Sequence, residues 1–577
     1  MRLLRRMTVY SALIAWSALV MAFSNAASGV ADSPDTSQFP VKIRVDASKQ
    51  TGELRPVWRF FGYDEPNYTY MKDGKKLLAE LSSLGPKPVF VRTHNLLTSG
   101  DGTPALKWGS TGVYSEDAQG KPVYNWAIVD RIFDTLHERG MKPLVEIGFM
   151  PEALSTKPQP YQHHWKPGDQ YATIVAGWAY PPTDYGKWAE LVYQWVRHSV
   201  ERYGRGEVES WYWELWNEPD ISYWQGTPEE YFKLYDYTAG AVKRALPAAR
   251  IGGPHSTGPG GNSARFLRAF LEHCIRGKNN LTAGTGAPLD FIGFHAKGAP
   301  KFIDGHVQTG IDNQLRALDR GFEIVASFPE LKTTPIIIGE SDPDGCAACP
   351  SSLYPQNGYR NGTLFASYTA AAMTRHQELA ERRGVNLVGA VTWAFEFEDQ
   401  PYFAGFRALS TNGIALPVLN VFRMLGRLGG RRVLLESDGA VSLDVMLKDG
   451  ARLKPDVAGV ASLDGKKLSI LIWHHHDNDV PGPEADVEIA IAGIPIRSGE
   501  ARLAHFRVDE RLSNSFAEWK RMGSPVKPTP QQYNQLANAG RLAAIGGPQQ
   551  IRIKNGGATL RFSLPRQAVS LLVLELK

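Results

Sequence analysis

Two glutamates are placed to do nucleophilic and acid–base chemistry on a single substrate. Glu218 ends the run Trp211-Tyr212-Trp213-Glu214-Leu215-Trp216-Asn217-Glu218-Pro219-Asp220, and Glu340 ends Pro335-Ile336-Ile337-Ile338-Gly339-Glu340. Each run reads as a strand with a carboxyl group at its tip. The second is apolar enough to be buried, so a charge at its end needs a reason. Pro219 stops the first run and holds Glu218 at the rim, with the Asn217 amide beside it to bind a hydroxyl. Two carboxyl groups facing each other across a pocket can cleave a glycosidic bond. One attacks the anomeric carbon, while the other protonates the leaving oxygen and then deprotonates water. The two roles demand opposite protonation states, Glu340 ionised and Glu218 protonated until its proton is delivered. Retention of configuration needs a separation of about 5 to 5.5 Å and inversion about 6.5 to 9.5 Å, a distance set by tertiary structure. Each glutamate alone also admits a structural reading, Asn-Glu-Pro-Asp as a turn and Glu340 as a strand-end ion pair.

The elements that must position the pair are legible as alternating units. Short apolar runs at residues 58–63, 88–94, 143–149, 210–216, 250–255, 291–295, 335–340 and 387–395 are bounded by turn residues and separated by stretches of helical spacing. Ile128, Val129, Ile132, Phe133 and Leu136 recur at three- and four-residue steps before Gly140, a C-cap, and Asp184 caps a helix through Trp188, Leu191, Val192 and Trp195 to about Tyr203. Eight such units, with no Gly-x-Gly-x-x-Gly loop after the first strand, predict an α/β fold: a closed (β/α)8 TIM barrel over residues 41–415. Glu218 and Glu340 then fall at the ends of the fourth and seventh strands, on the catalytic face of such barrels. The loop at residues 155–182, rich in Pro, Gly, His and Trp, sits where substrate walls are built.

Beyond Leu416 the pattern turns to strands alone, predicting a β-sandwich over residues 416–577. Asp464-Gly465 lies between runs at 457–463 and 468–473 as a hairpin turn, and runs at 487–491, 501–508, 550–554, 558–562 and 569–576 follow. The alternation at residues 41–47 predicts one more strand, paired with the sandwich.

Composition narrows the function classes. A 577-residue chain with 43% hydrophobic and 21% charged residues has the profile of a globular protein of more than one domain. Net charge is +5 over 64 basic and 59 acidic residues, with no basic run interleaved with aromatics, so nucleic acid is not an expected partner. Fifteen Trp and 22 Tyr suit stacking on the C–H faces of sugars as well as core packing. Residues 1–27 read as a signal peptide: Arg2, Arg5 and Arg6, an apolar stretch over 9–23, then Ser24-Asn25-Ala26-Ala27. Export to the periplasm or medium follows, with no membrane span after cleavage. The rival reading, an uncleaved anchor, must accommodate a short stretch broken by Ser11 and Ser17. In an oxidising compartment Cys346 and Cys349 would form a local disulfide and leave Cys274 free; a redox pair or a zinc site are the alternatives.

At the two glutamates the chain resembles glycoside hydrolase family 39, which holds β-xylosidases and α-L-iduronidases. The resemblance is carried by Val91-Arg92-Thr93-His94, Phe149-Met150-Pro151-Glu152, Trp216-Asn217-Glu218-Pro219-Asp220, His295-Ala296-Lys297-Gly298 and Glu340-Ser341-Asp342-Pro343 in family order, and runs from about Val41 to the end. It implies a retaining exo-hydrolase with Glu218 as acid/base and Glu340 as nucleophile. It also places His94, Asn217, His295 and Lys297 around the nonreducing sugar, with no metal or organic cofactor. Glu340-Ser341-Asp342-Pro343 and His295-x-Lys297 are similar to the iduronidase branch, where basic residues hold a uronate carboxylate, a role open here to Lys297 and Arg407. The bacterial look of the leader, and the lack of the animal iduronidases' fibronectin-like domain within these 577 residues, favour instead a β-D-xylosidase acting on xylooligosaccharides.

Other residues admit two readings. Trp393, on the eighth strand candidate, is either the floor beneath the sugar or barrel packing. His94, His255 and His295 could by position serve a zinc hydrolase, and a catalytically silent sugar-binding protein would keep the aromatics but lack a carboxylate. His474, His475 and His476, followed by Asp477 and Asp479, have metal-ligand composition, but neighbours on a strand point to opposite faces and a surface strand end is predicted. Glu146 and Glu214 read as structural ion-pair partners, and Glu398, Asp399 and Tyr402 stand outside the catalytic set.

Overall fold

The computed structural model describes residues 38–393 and 395–576. The leader expected at residues 1–27 lies outside the described residues. Eight parallel strands close a barrel in chain order: Phe60–Tyr63, Phe90–Thr93, Lys142–Ile147, Tyr212–Leu215, Arg250–Ser256, Phe291–Phe294, Pro335–Ile338 and Asn386–Trp393, the last pairing back onto the first. These are the eight runs read from the sequence. Ile336, Ile337 and Ile338 show why a closed layer forms, since all three are fully buried and the strand must be covered on both faces. The outer cover is helical. Helix Ala127–His137 buries Val129, Ile132, Phe133 and Leu136, and Gly140 beyond it takes a φ of 65°. Helix Tyr185–Tyr203 starts at Asp184, whose carboxylate accepts from the N–H groups of Gly186 at 2.7 Å and Lys187 at 3.1 Å.

The barrel centre is polar, and two glycines make room for it. A Cβ at Gly293 would stand 2.2 Å from His255 Nε2, and one at Gly339 would stand 2.1 Å from His255 Nδ1. Only residues without a side chain fit around that ring.

The first described strand, Gln38–Glu53, belongs to the C-terminal sheet. It lies antiparallel to Arg431–Ser437 and parallel to Glu484–Ala492. Ten strands are hydrogen-bonded as one continuous sheet around a core that includes Val41, Ile43, Val487, Ile489, Leu572 and Leu574. The sandwich layers are therefore joined, and register shifts between Asp46 and Gly52 bend the long strand that joins them.

Three features depart from expectation. Helix Pro417–Leu425 packs on helix Thr363–Arg383, with Phe422 5.1 Å from the Phe61 ring of the first barrel strand, so the barrel's last helix lies beyond the boundary drawn at residue 415. Strand Arg431–Ser437 and helices Ser515–Arg521 and Pro530–Ala539 carried too little apolar periodicity to be anticipated. His474, His475 and His476 are buried at 1%, 0% and 7% exposure instead of ending a surface strand. Alternation places neighbours on opposite faces, but both faces are covered here. His475 stands edge-on to Tyr368 with Nδ1 3.1 Å from Ser367 Oγ, both on helix Thr363–Arg383, while His474 meets Phe39 of the sheet. Asp477 accepts from Thr309 Oγ1 at 2.8 Å and from the Ala451 N–H at 2.7 Å, tying barrel to sheet.

Cys346 and Cys349 are bonded and Cys274 is free and buried. Among the described residues no helix is long and apolar enough to cross a membrane.

Candidate active site

The loops after the fourth, sixth and seventh strands bring the two glutamates together. Beyond Tyr212–Leu215 the chain turns sharply, with Trp216 and Glu218 at φ values of 65° and 48°. Non-glycine residues stay in that region only where their surroundings over-determine it. Here the Glu218 N–H donates to the His255 carbonyl at 3.0 Å, and the Trp216 indole N–H donates to the Tyr223 carbonyl at 3.0 Å. Glu340 follows Pro335–Ile338, and its carbonyl accepts from the Ala296 N–H at 2.9 Å, locking the seventh strand end to the sixth. One oxygen of each carboxylate and a ring nitrogen of His295 all lie within 4.8 Å of one another.

Cations bind the pair tightly. Lys297 Nζ bridges the two carboxylates, 2.9 Å from Glu218 Oε1 and 2.8 Å from Glu340 Oε2. Arg407 donates to Glu340 Oε2 at 3.0 Å, to the Trp393 carbonyl at 2.6 Å and to the Asp344 carbonyl at 2.6 Å. Burial would raise the Glu340 carboxyl, but Lys297, His295, Arg407 and Arg92 outweigh it and hold the group well below the usual range. Glu340 is thus ionised, as a nucleophile must be. Glu218 departs from the expectation that it rests protonated. Burial pushes it up, yet Lys297 and His295 bring it down to about 2. The sequence displayed the carboxyl but not the reach of Lys297 from the neighbouring loop.

The remaining expected residues divide into wall and foundation. Asn217, Lys297, Trp393 and Arg407 line the pocket around Glu218 and Glu340. His94 and His295, expected around the sugar, are both fully buried. His295 Nδ1 stands 2.9 Å from Glu218 Oε1 and orients the carboxylate. His94 lies with Nδ1 3.0 Å from Asp64 Oδ1 and Nε2 2.7 Å from Glu146 Oε2. His255, from the zinc alternative, places Nε2 2.5 Å from Glu214 Oε2. Glu146 and Glu214 are the ion-pair partners expected of them.

Arg92, in a recognised motif but absent from the expected site, ties the foundation together. Its Nε donates to Glu214 Oε1 at 2.6 Å and its Nη2 to Asn217 Oδ1 at 3.2 Å, with Nη2 3.5 Å from Glu146 and the guanidinium 5.1 Å above the Trp393 ring. Replacing it leaves buried carboxylates without a counter-charge. Arg92→Met is expected to destabilise the fold by about 3–5 kcal/mol, read as a fall in the urea unfolding midpoint. Asp64 and Asp342 were also missed. An acid just past the first strand was the available signal for Asp64; Asp342, which accepts the Trp393 N–H at 2.7 Å, was in plain view within a motif. Burial, outweighing Arg407, pushes its carboxyl up to about 7. Lys107, Trp108, Tyr171 and Tyr223 complete the pocket from irregular loops, where no periodicity marks them.

A (β/α)8 barrel with two glutamates facing each other at its mouth, one at the end of strand four and one at the end of strand seven, is the framework of a glycoside hydrolase. Residues 41–551 match Glycosyl hydrolases family 39, and the chain belongs to that family. It is 28% identical over 501 residues to a β-xylosidase of Geobacillus stearothermophilus, covering 84% of this chain and 86% of that one. It is 23% identical over 530 residues to an α-L-iduronidase of Mus musculus, covering 86% and 75%. The fold superposes with a TM-score of 0.72 on the crystal structure of a monomeric β-xylosidase from Caulobacter crescentus, at 23% identity and covering 93% and 99%.

Proposed function

We propose that the protein is an exported, retaining exo-β-D-xylosidase. The observation that supports the double displacement is the approach of Glu218 and Glu340 oxygens to within 4.8 Å across a buried pocket, closer than the about 6.5 Å at which an interposed water begins to fit. Glu340 attacks the anomeric carbon and the C1–O bond breaks as Glu218 gives its proton to the leaving oxygen. Glu218 then takes a proton from water, which attacks C1 and releases Glu340. A neutral sugar suits the charge pattern, because each pocket cation is already paired: Lys297 with both glutamates, Arg407 with Glu340 and Lys107 with Asp64. The match to β-xylosidases supports the same substrate. The Cys346–Cys349 bond supports an oxidising compartment and so export.

A uronide is the second reading, and the position of Lys297 favours it. A substrate carboxylate that drew Lys297 away would free Glu218 to bind the proton its role requires. Purified enzyme with aryl β-D-xyloside and aryl α-L-iduronide, followed by NMR of the released anomer, separates the readings. Faster xyloside cleavage with retained configuration supports the first. Faster iduronide cleavage replaces it with the second, and inverted product removes the double displacement.

Either substrate must loosen the Lys297 grip on Glu218. In Lys297→Met the depressed Glu218 pKa is expected to relax upward, moving the basic limb of the kcat/KM pH profile to higher pH. An unmoved limb would assign the acid to another group. Stability follows the same sign. A carboxyl depressed in the folded state contributes above its unfolded pKa, about 4.5, and that contribution is lost as pH falls toward about 2. The variant's melting temperature is therefore expected to fall less over that window.

A further inference from the structure

His474 and His476 lie two residues apart at the end of strand Lys467–His475, a spacing that shares one face, opposite the His475 that meets the barrel. They line a cavity of about 660 Å³ together with Phe39 and Val41 of strand Gln38–Glu53. The volume lies inside the range of about 300–1,000 Å³ typical of ligand sites. No lining residue is shared with the pocket of the two glutamates.

Positive charge gathers there without a counter-charge. Arg566 and Lys454 line the same cavity. The Arg566 guanidinium lies over Gly482, whose missing side chain leaves it room; its Nη1 donates to the Pro481 carbonyl at 3.4 Å, and its buried Nε has no acceptor. Lys454 Nζ donates to the Ala440 carbonyl at 3.3 Å. Among the described residues neither cation has a carboxylate within 4.0 Å. The acid in the lining, Asp438, accepts the Lys42 N–H at 2.8 Å, and Asp479 acts on Arg566 from longer range. Burial, joined by the Arg566 charge, pushes His474 and His476 down to about 4, so both rings are neutral at pH 7.

The hydrogen bonds fix the tautomers. His474 Nδ1 faces the Leu564 carbonyl at 3.0 Å and holds its proton there, whereas His476 Nδ1 accepts the Asn478 N–H at 3.0 Å, which puts the proton on Nε2. That Nε2–H has no protein partner among the described residues and keeps accessible surface, on a residue that is 7% exposed and lines the cavity. A guanidinium, an ammonium and an imidazole N–H are donors for one anionic group. The remaining wall is apolar: Phe39, whose ring stands 5.7 Å from that of His474, with Val41, Pro455, Pro483 and the exposed Leu453. A bare inorganic anion would leave those side chains facing water, and an anion carrying a hydrocarbon body would cover them.

We propose that this cavity binds an organic carboxylate with an apolar body, its charge taken by Arg566, Lys454 and the His476 Nε2–H and its body laid against Phe39 and Leu453. The proposal does not depend on the glycosidase reading. Its test is calorimetric titration of 2-naphthoate, neutral 2-naphthamide and inorganic phosphate into the wild type, Arg566→Gln and Lys454→Gln, at pH 7 in a buffer free of carboxylate and phosphate. Lys454 is exposed, so Lys454→Gln stays informative should Arg566→Gln fail to fold.

One 2-naphthoate is expected to bind per chain with a Kd at or below about 1 mM, and the amide and phosphate at least about tenfold more weakly. Arg566→Gln should weaken 2-naphthoate about tenfold or more and Lys454→Gln several-fold. No binding of 2-naphthoate, an amide that binds as well, or phosphate that binds as well would overturn the site. So would a 2-naphthoate affinity that Arg566→Gln leaves unchanged or, if that variant does not fold, one that Lys454→Gln leaves unchanged.

Discussion

Glu340→Ala is expected to lower kcat by roughly ten-thousand-fold or more and to abolish the covalent glycosyl-enzyme. The size follows from what is removed. In the proposed double displacement this carboxylate supplies the electron pair that attacks the anomeric carbon, and Lys297 at 2.8 Å and Arg407 at 3.0 Å outweigh its burial to favour the ionised form. No neighbour can replace it. Glu218 is already assigned to proton transfer, Asp64 is paired with Lys107, and Asp342 Oδ2 is committed to the Trp393 N–H and lies 3.3 Å from Arg407. The measurement is intact-protein mass after incubation with an aryl 2-deoxy-2-fluoroglycoside, which slows breakdown of the intermediate. Wild type should gain one glycosyl unit and the variant none. A variant that still labels, or that keeps full activity, would take the nucleophile's role away from Glu340. The fold should survive, since Arg407 retains its bonds to two carbonyls and its contact with Asp342.

Glu218→Ala is expected to act according to the leaving group. An aryl glycoside with an acidic phenol departs without a proton, so its first step should change little. An unactivated disaccharide needs the proton and should slow by about 100- to 10,000-fold. Deglycosylation also suffers, because the same carboxylate must deprotonate water, so the activated substrate should show a burst followed by slow turnover. Equal loss on both substrates would remove Glu218 from acid catalysis. The same variant frees one side of Lys297, which then pairs with Glu340 alone. Its effect on the pH profile should therefore be opposite to that of Lys297→Met at the low-pH end, where Glu340 titrates.

Much of this molecule is written locally. Runs such as Pro335–Ile338 are apolar over a short length and bounded by turns, so each barrel strand could be read from composition and spacing alone. Helix starts such as Asp184 were legible because a cap is a contact within one turn. The two glutamates stood out for the same reason, as charges at the tips of buried strands.

What the sequence hid is long-range. Helix Pro417–Leu425 reads as one more apolar run until it is seen against Thr363–Arg383, and the three histidines read as a strand end until barrel and sheet close over them. Lys297 and Arg92 acquire their roles from partners far away in the chain, at distances that no spacing along it encodes.

The sequence by itself determined the barrel, the attached sheet and the two carboxyl groups, because hydrophobic periodicity and turn chemistry are properties of neighbours. The tertiary structure alone decided the charge state of those carboxyls, since Glu218 is held at about 2 by an ammonium and an imidazole delivered from another loop. It alone also decided which residues touch the pocket and which lie beneath it. Coulomb interactions and hydrogen bonds depend on separation in space, and folding is what sets that separation.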